Sequence, residues 1–248
     1  MTSHTPAYHL IASAPSTNSV LAAIAAESPH GTVVSATEQT AGRGQRGNSW
    51  ESSPGKNLTL SMLLRPRHID ARSQFFLSEI VSLSIVETLR HYIPNHDIAI
   101  KWPNDIYVGD KKICGILIEN SLMGMGIDHS IAGIGLNVNQ TRFISDAPNP
   151  VSLSHITGNE IPLGEIREKL CDTILDMMDI YDDISRFEEL HRTYCNNLWR
   201  RDGFYPYTTG GETFNARITE VSPIGMLTLT DTDGSSRTFA FKEVSAVL

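Results

Sequence analysis

The sequence predicts an α+β fold: a mixed or antiparallel sheet packed with helices, followed by a small C-terminal β-barrel. Three observations carry that prediction. Short β-branched runs bounded by turn residues recur through the first 140 positions. Two long stretches repeat apolar residues at helical spacing. From about residue 203 onward only short alternating strands remain, separated by Ser222-Pro223-Ile224-Gly225 and Asp233-Gly234 turns. The expected division is therefore a main unit over 1–202 and a barrel over 203–248, the latter too small to stand alone and expected to dock on the former.

In order along the chain, residues 1–15 are polar and interrupted by proline, and no element is assigned there. Ser16, Thr17 and Asn18 precede the run VLAAIAA, so a short helix starts at them. One cap needs one such side chain, which leaves the surplus free to hydrogen-bond a polar head group. Residues 31–37 and 58–64 read as strands flanking a glycine-rich segment. Residues 73–93 carry a helical apolar stripe that Pro94 ends. Residues 98–102 form a short strand running into the turn Pro103-Asn104-Asp105. Residues 106–108 and 112–120 then suggest a hairpin about Gly109-Asp110. Residues 130–139, SIAGIGLNVN, form another strand, whose Gly133 and Gly135 leave room for a ligand. Residues 148–162 read as loop, and 164–194 as one amphipathic helix with a solvated acidic face.

Between the strands 31–37 and 58–64 lies QTAGRGQRGNSW, residues 39–50. Its glycines let backbone approach a ligand closely, and its arginines offer forked donors to phosphate or carboxylate. The spacing is neither that of a Walker loop nor that of a dinucleotide-binding turn. With a formal net charge of −8, the chain is a poor nucleic-acid surface. The two arginines are thus local exceptions, suited to a small anion. Three cysteines, Cys114, Cys171 and Cys195, are too few and too far apart for a disulfide framework, and the nine histidines show no metal-ligand spacing. No metal site is expected. Without a signal peptide or an apolar run approaching about 18 residues, a cytoplasmic protein with no membrane contact is expected.

Lys101-Trp102-Pro103-Asn104-Asp105, followed by Lys112 and Gly115 on the next strand, changes the reading. Together with STN at 16–18, GRGQRG in the loop, NLTLSM at 57–62, KKICGILIE at 111–119, GIGLNVN at 133–139 and EVS at 243–245, this ordered series resembles the biotin protein ligases. The resemblance covers nearly the whole chain. It implies a class II synthetase-like catalytic domain and an enzyme that joins biotin to ATP as biotinyl-5′-adenylate. The biotinyl group then passes to one lysine of a biotin carboxyl carrier domain, with Mg²⁺ accompanying ATP.

The resemblance also implies roles for particular residues. Ser16, Thr17, Asn18 and Gln39 would bind the biotin ring, with Gly42, Arg43, Gly44 and Gly115 lying along the biotin tail. Arg46, Gly47, Trp50, Asn104 and Asn137 would meet the nucleotide. Lys112 would bridge carboxylate and phosphate, Arg43 would help hold the adenylate, and Asp105 would orient the incoming amine. Gln45 departs from the family pattern, which often has arginine there. Only 15 residues precede Ser16, so no DNA-binding domain is expected, and the oligomeric state is left open with a homodimer among the options. Two rivals remain: a lipoate or octanoate ligase or transferase of the same superfamily, and a catalytically silent adenylate-binding regulator.

Overall fold

A computed structural model describes residues 6–145 and 149–248, and of Arg46 the backbone alone. The described chain builds β1 (Ala7–Ala14), α1 (Thr17–Ile24), β2 (Thr32–Gln39), β3 (Leu58–Leu64), α2 (Phe75–Tyr92), β4 (Ile98–Lys101), β5 (Asp105–Val108), β6 (Lys111–Met123) and β7 (Gly126–Leu136). After these come α3 (Leu153–Thr157), α4 (Leu163–Tyr181), α5 (Phe187–Asn196), β8 (Tyr205–Thr209), β9 (Glu212–Val221), β10 (Leu227–Asp231), β11 (Ser236–Phe239) and β12 (Ser245–Ala246). The first seven strands form one mixed sheet in the order β1-β2-β3-β7-β6-β5-β4, in which only β1 and β2 pair in parallel.

The inner strand β3, LTLSMLL, is buried along its whole length, as its unbroken run requires. Its alternation still divides the molecule. Leu58, Leu60, Met62 and Leu64 join the large core beneath α2, α4 and α5. Leu63 instead packs with Leu21, Ala25, Val34 and Ile131 under α1. The sheet thus has a thick helical layer on one face and the single short helix α1 on the other.

Three local readings differ from the sequence. β1 is an edge strand whose residues are mostly exposed, so AYHLIASA lacks the alternation that marks a half-buried strand. α3 lies in the stretch read as loop, capped by Ser152 Oγ accepting from His155 N and closed by Gly158 at φ 72°. The stretch read as one helix breaks after Tyr181. There the Asp182 carboxylate accepts from Arg67 N (2.6 Å) and His68 N (2.9 Å), and Asp183 accepts from Ser185 N (2.9 Å). Paired aspartates that bind backbone amides in this way compete with a continuing helix.

The second sheet runs β11-β10-β9-β8-β12, leaving β11 and β12 at opposite edges. It is an open sheet, not the closed barrel expected. It sits against the first through Trp102, whose Nε1 donates to Gly225 O (2.9 Å) and whose ring meets Phe241 edge-on at 5.3 Å. Residues of both sheets share one continuous core.

Candidate functional site

On the α1 face of the main sheet the side chains shrink where the three central strands meet. Ser61 of β3 pairs with Gly133 of β7, and Gly133 with Leu117 of β6. One step along, Thr59 pairs with Gly135, and Gly135 with Gly115. A period of two therefore puts glycines side by side on this face, while Ile116, Ile134 and Leu136 fill the core on the other. The result is a cleft of about 770 Å³, a volume ordinary for a small-molecule site.

One end of the cleft is a buried polar cluster. Ser16 occupies the position before α1 but its side chain makes no capping bond, and it lines the cleft instead. Gln39 Oε1 accepts from Thr17 N (2.8 Å) and Thr17 Oγ1 (3.2 Å). Ser61 Oγ lies 2.7 Å from Thr17 Oγ1 and 2.5 Å from Asn18 Oδ1. Asn18 Nδ2 donates to Glu119 Oε2 (2.7 Å) and to Leu117 O (3.3 Å). A methyl group on Gly133 would overlap the Asn18 carboxamide.

Above this lies the glycine-rich segment, folded back on itself. Trp50 N donates to Gly42 O (2.9 Å) and Gly44 N to Asn48 O (2.7 Å), with a turn over Gln45–Gly47 at its tip. Gly42 does not line the cleft. A Cβ there would stand 2.7 Å from Trp50 O, so it permits the close return of the chain. Gly47 has φ 87°, a conformation glycine adopts without strain. Arg43 Nη2 donates to Glu119 Oε2 (3.0 Å), and Gln45 O accepts from Lys242 Nζ (2.9 Å), on the turn between β11 and β12 of the second sheet. The side chain of Arg46 lies outside the described atoms.

The Trp50 indole lies on the paired glycines. A Cβ on Gly115 would be 3.0 Å from its ring, and one on Gly135 would fall inside it. Its Nε1 is buried without a hydrogen-bond partner. Lys112 Nζ stands 5.6 Å from the indole centroid and 2.6 Å from Asp105 Oδ1. Each of these two charges is mostly shielded from water, and each satisfies the other. Asn104 Nδ2 donates to Ile116 O (2.6 Å), which pins the KWPND turn to β6.

Asn137 stands apart from the cleft. It is buried, its Nδ2 donates to Val151 O (3.1 Å) and its Oδ1 has no partner. The segment at 149–153 covers it, through Val151 N to Lys112 O and Leu153 N to Asn137 O.

Reasoning from sequence missed Ser61, Glu119 and Lys101. The Lys101 ammonium is pushed below its ordinary value chiefly by burial, with Asp105 opposing and the charges of Lys112 and Arg200 adding to the fall. It lies 5.4 Å from the Tyr107 ring centroid. Its position in KWPND was a usable signal. Ser61 and Glu119 gave none, because their partners lie more than 40 residues away. Among the described residues no group of three His, Cys, Asp or Glu side chains is placed to hold a metal ion, and no helix is long and apolar enough to cross a membrane.

Residues 10–137 match the model of the biotin/lipoate A/B protein ligase family. The chain is 36% identical over 138 residues to the bifunctional ligase/repressor BirA of Bacillus subtilis, an alignment covering 54% of this chain and 41% of that one. It is 34% identical over 142 residues to the biotin–[acetyl-CoA-carboxylase] ligase of Paracoccus denitrificans, covering 55% and 58% respectively. The chain thus spans about two fifths of the bifunctional relative's length. Its structure superposes on the biotin protein ligase of Aquifex aeolicus in complex with biotin and ATP with a TM-score of 0.80, at 25% identity, over 98% of this chain and 99% of that one.

Proposed function

This chain belongs to the biotin/lipoate A/B protein ligase family, and from that premise we propose that it is a cytoplasmic ligase. It would activate biotin with ATP and pass the biotinyl group to a lysine of a biotin carboxyl carrier domain. One observation carries the choice of biotin: the cleft ends in a cluster of buried Thr17, Asn18 and Ser61 with half-buried Gln39, all polar and mutually bonded. A ureido ring, with donors and an acceptor in one plane, can exchange partners with such a cluster. An aliphatic lipoyl or octanoyl chain offers no such exchange, and it would leave unmet the Ser16 hydroxyl, which makes no capping bond and lines this end of the cleft, at roughly 1–3 kcal/mol.

The remaining assignments follow the length of the cleft. Ser16, Thr17, Asn18 and Gln39 take the ring, and the backbone over Gly115 and Gly135 lies along the tail. Arg43 exchanges Glu119 for the adenylate. Lys112 leaves Asp105 to meet the negative charge that gathers when the biotin carboxylate attacks the α-phosphate. That displacement forms a bond from a carboxylate oxygen to the α-phosphorus, breaks the bond from that phosphorus to the bridging oxygen and releases pyrophosphate. Asp105, freed of Lys112, then holds the amine of the incoming lysine and takes or relays its proton as the nitrogen attacks the acyl carbon, so that the amide bond forms, the acyl C–O bond breaks and AMP leaves. Trp50 stacks at the adenine, which moves its indole off the glycine floor. Asn104 sets the turn beside the phosphates. Asn137 serves the nucleotide end from behind the 149–153 segment.

Mg²⁺ fits as a companion of ATP. Among the described residues no group of three carboxylate, histidine or cysteine side chains is placed to hold it, and magnesium would be held by triphosphate oxygens and water. Bound so, it supplies charge neutralisation. Residues 1–202 are assigned to catalysis, and 203–248 to closing the nucleotide end, where Lys242 and Ser245 line the cleft.

Pyrophosphate release tests this reading. Protein with biotin and Mg-ATP, without a carrier, should give a burst of about one equivalent. A burst with lipoate and none with biotin would overturn it. Binding of biotin and ATP without pyrophosphate would turn the reading to a regulator.

A further inference from the structure

The helical layer on the far face of the sheet holds a second set of reactive groups, which the proposed ligase chemistry does not use. Glu79 of α2 is fully buried. Its Oε1 lies 2.6 Å from Nδ1 of His191 on α5. His191 Nε2 in turn lies 3.6 Å from Cys195 Sγ, one helical turn further on. Glu79 Oε2 has no hydrogen-bond partner. The sequence thiol, imidazole, carboxylate is the order of a nucleophile, its proton partner and the group that orients that partner. The imidazole meets Phe76 edge-on at 6.3 Å, which shields the ion pair from water on that side. None of the three residues lines the cleft.

A buried carboxylate needs a cation, and His191 alone would supply one. That accounts for Glu79 and for one ring nitrogen. It does not account for the other nitrogen facing a sulfur that solvent reaches in part. The other two cysteines, Cys114 and Cys171, are buried and free. Burial pushes the Cys171 thiol up to about 12 and the Cys114 thiol higher. His191 is pushed up to about 10, first by its contact with Cys195 and then by Glu79, so a protonated imidazole faces the sulfur throughout the neutral range.

We propose that Cys195, backed by His191 and Glu79, is a nucleophilic thiol site that reacts with hydroperoxides and other small electrophiles. With a hydroperoxide the deprotonated sulfur attacks one peroxide oxygen. The S–O bond forms and the O–O bond breaks. The departing alkoxide or hydroxide takes the imidazolium proton to leave as alcohol or water. Sulfur is oxidised by two electrons to a sulfenic acid and the peroxide is reduced by two.

The full-length protein tests this with two probes: iodoacetamide, and hydrogen peroxide followed by dimedone. Sites are located by peptide mass mapping at pH 7. Cys195 should carry both labels while Cys114 and Cys171 stay unlabelled, and it should take them at least about tenfold faster than the same cysteine in urea-unfolded protein. His191→Gln should lower that rate about tenfold. If that variant does not fold, for want of a cation beside Glu79, the wild-type rates decide alone. A wild-type Cys195 labelled no faster than in urea-unfolded protein overturns the proposal and leaves the cluster a buried ion pair with a cysteine beside it.

Discussion

The two halves of the cleft are built on opposite principles. The polar cluster at the start of α1 is held from every side. Thr17, Asn18 and Ser61 are buried, and each touches partners on other elements. The glycine-rich segment over it is held by its own two strands and by contacts at its rim, Arg43 to Glu119 and Lys242 to Gln45 O. The first region has already met the ordering cost of presenting its donors and acceptors, which favours selectivity. The second can exchange partners at little cost, which favours closure over a ligand. Glu119 joins them, because one carboxylate oxygen accepts from both Asn18 and Arg43.

The largest effect is expected at the Lys112–Asp105 pair, beside the Trp50 indole that ends the loop. Lys112→Ala should lower adenylate formation by ~10²–10³, the usual cost of removing a group that meets developing charge. Asp105→Asn should still form adenylate but transfer it poorly, even when biotinyl-adenylate is supplied. Burst kinetics and single-turnover transfer to a carrier lysine separate the two. Transfer at the wild-type rate by Asp105→Asn would reduce that residue to a partner for Lys112.

Next in size is a contrast between two glycines. Gly133→Ala pushes a methyl into an Asn18 carboxamide that Ser61 and Glu119 hold in place, and overpacking of this kind costs roughly 1–3 kcal/mol. Biotin affinity should fall by ~10–100-fold, at 1.4 kcal/mol per tenfold. Gly47→Ala meets no atom within 4 Å, and its one cost is a positive φ on the loop, ~1–2 kcal/mol. Its biotin affinity, read by calorimetry, should stay within about threefold of wild type. Equal losses in the two variants would erase the distinction between a rigid floor and a yielding loop.

A smaller effect is expected from Ser61→Ala, which removes one hydroxyl proton that Thr17 Oγ1 and Asn18 Oδ1 share as acceptors, and so one hydrogen bond. At ~1 kcal/mol per neutral hydrogen bond, the KM for biotin should rise about fivefold with kcat unchanged. A fall in kcat alone would place Ser61 in the chemistry instead of the ring pocket.

The legibility of these regions in the sequence follows from how far each contact reaches. β3 and α2 were readable because a continuous apolar run and a 3.6-residue stripe are local signals. The cleft floor was half readable: Gly133 and Gly135, two positions apart in SIAGIGL, mark a bared face, but not what lies on it. Asn137 continues that alternation and was placed at the nucleotide, yet the 149–153 segment folds over it. Ser61 is a polar residue inside an apolar strand, and Glu119 lies near the end of a different strand, read as 112–120. Their importance comes from partners 43 and 101 residues away, which no local pattern encodes. The barrel was read as closed because strand lengths and turns do not state whether the last strand meets the first.

The smallest effect sharpens the comparison from the loop side, at Gln45. This residue lines the cleft, and its carbonyl is held by Lys242 from the second sheet, so the backbone at the tip of the loop is fixed while the side chain is an uncharged amide. An adenylate beneath it carries a phosphate that gains more from a guanidinium than from an amide, since a charge-assisted hydrogen bond is about twice as strong as a neutral one. Part of that gain is lost to solvent, because the loop is exposed and such pairs are worth ~1 kcal/mol or less there. Gln45→Arg should therefore slow release of biotinyl-adenylate by ~3–5-fold while leaving biotin binding alone unchanged. The rate at which radiolabelled adenylate leaves the protein on dilution measures this. The same slowing should disappear in Gln45→Arg/Lys242→Ala if the second sheet is what steadies the tip. Should Gln45→Arg retain adenylate no longer than wild type, then Arg43 already supplies all the charge the phosphate can use. The yielding half of the cleft would then act by covering the ligand, with no further gain from binding it.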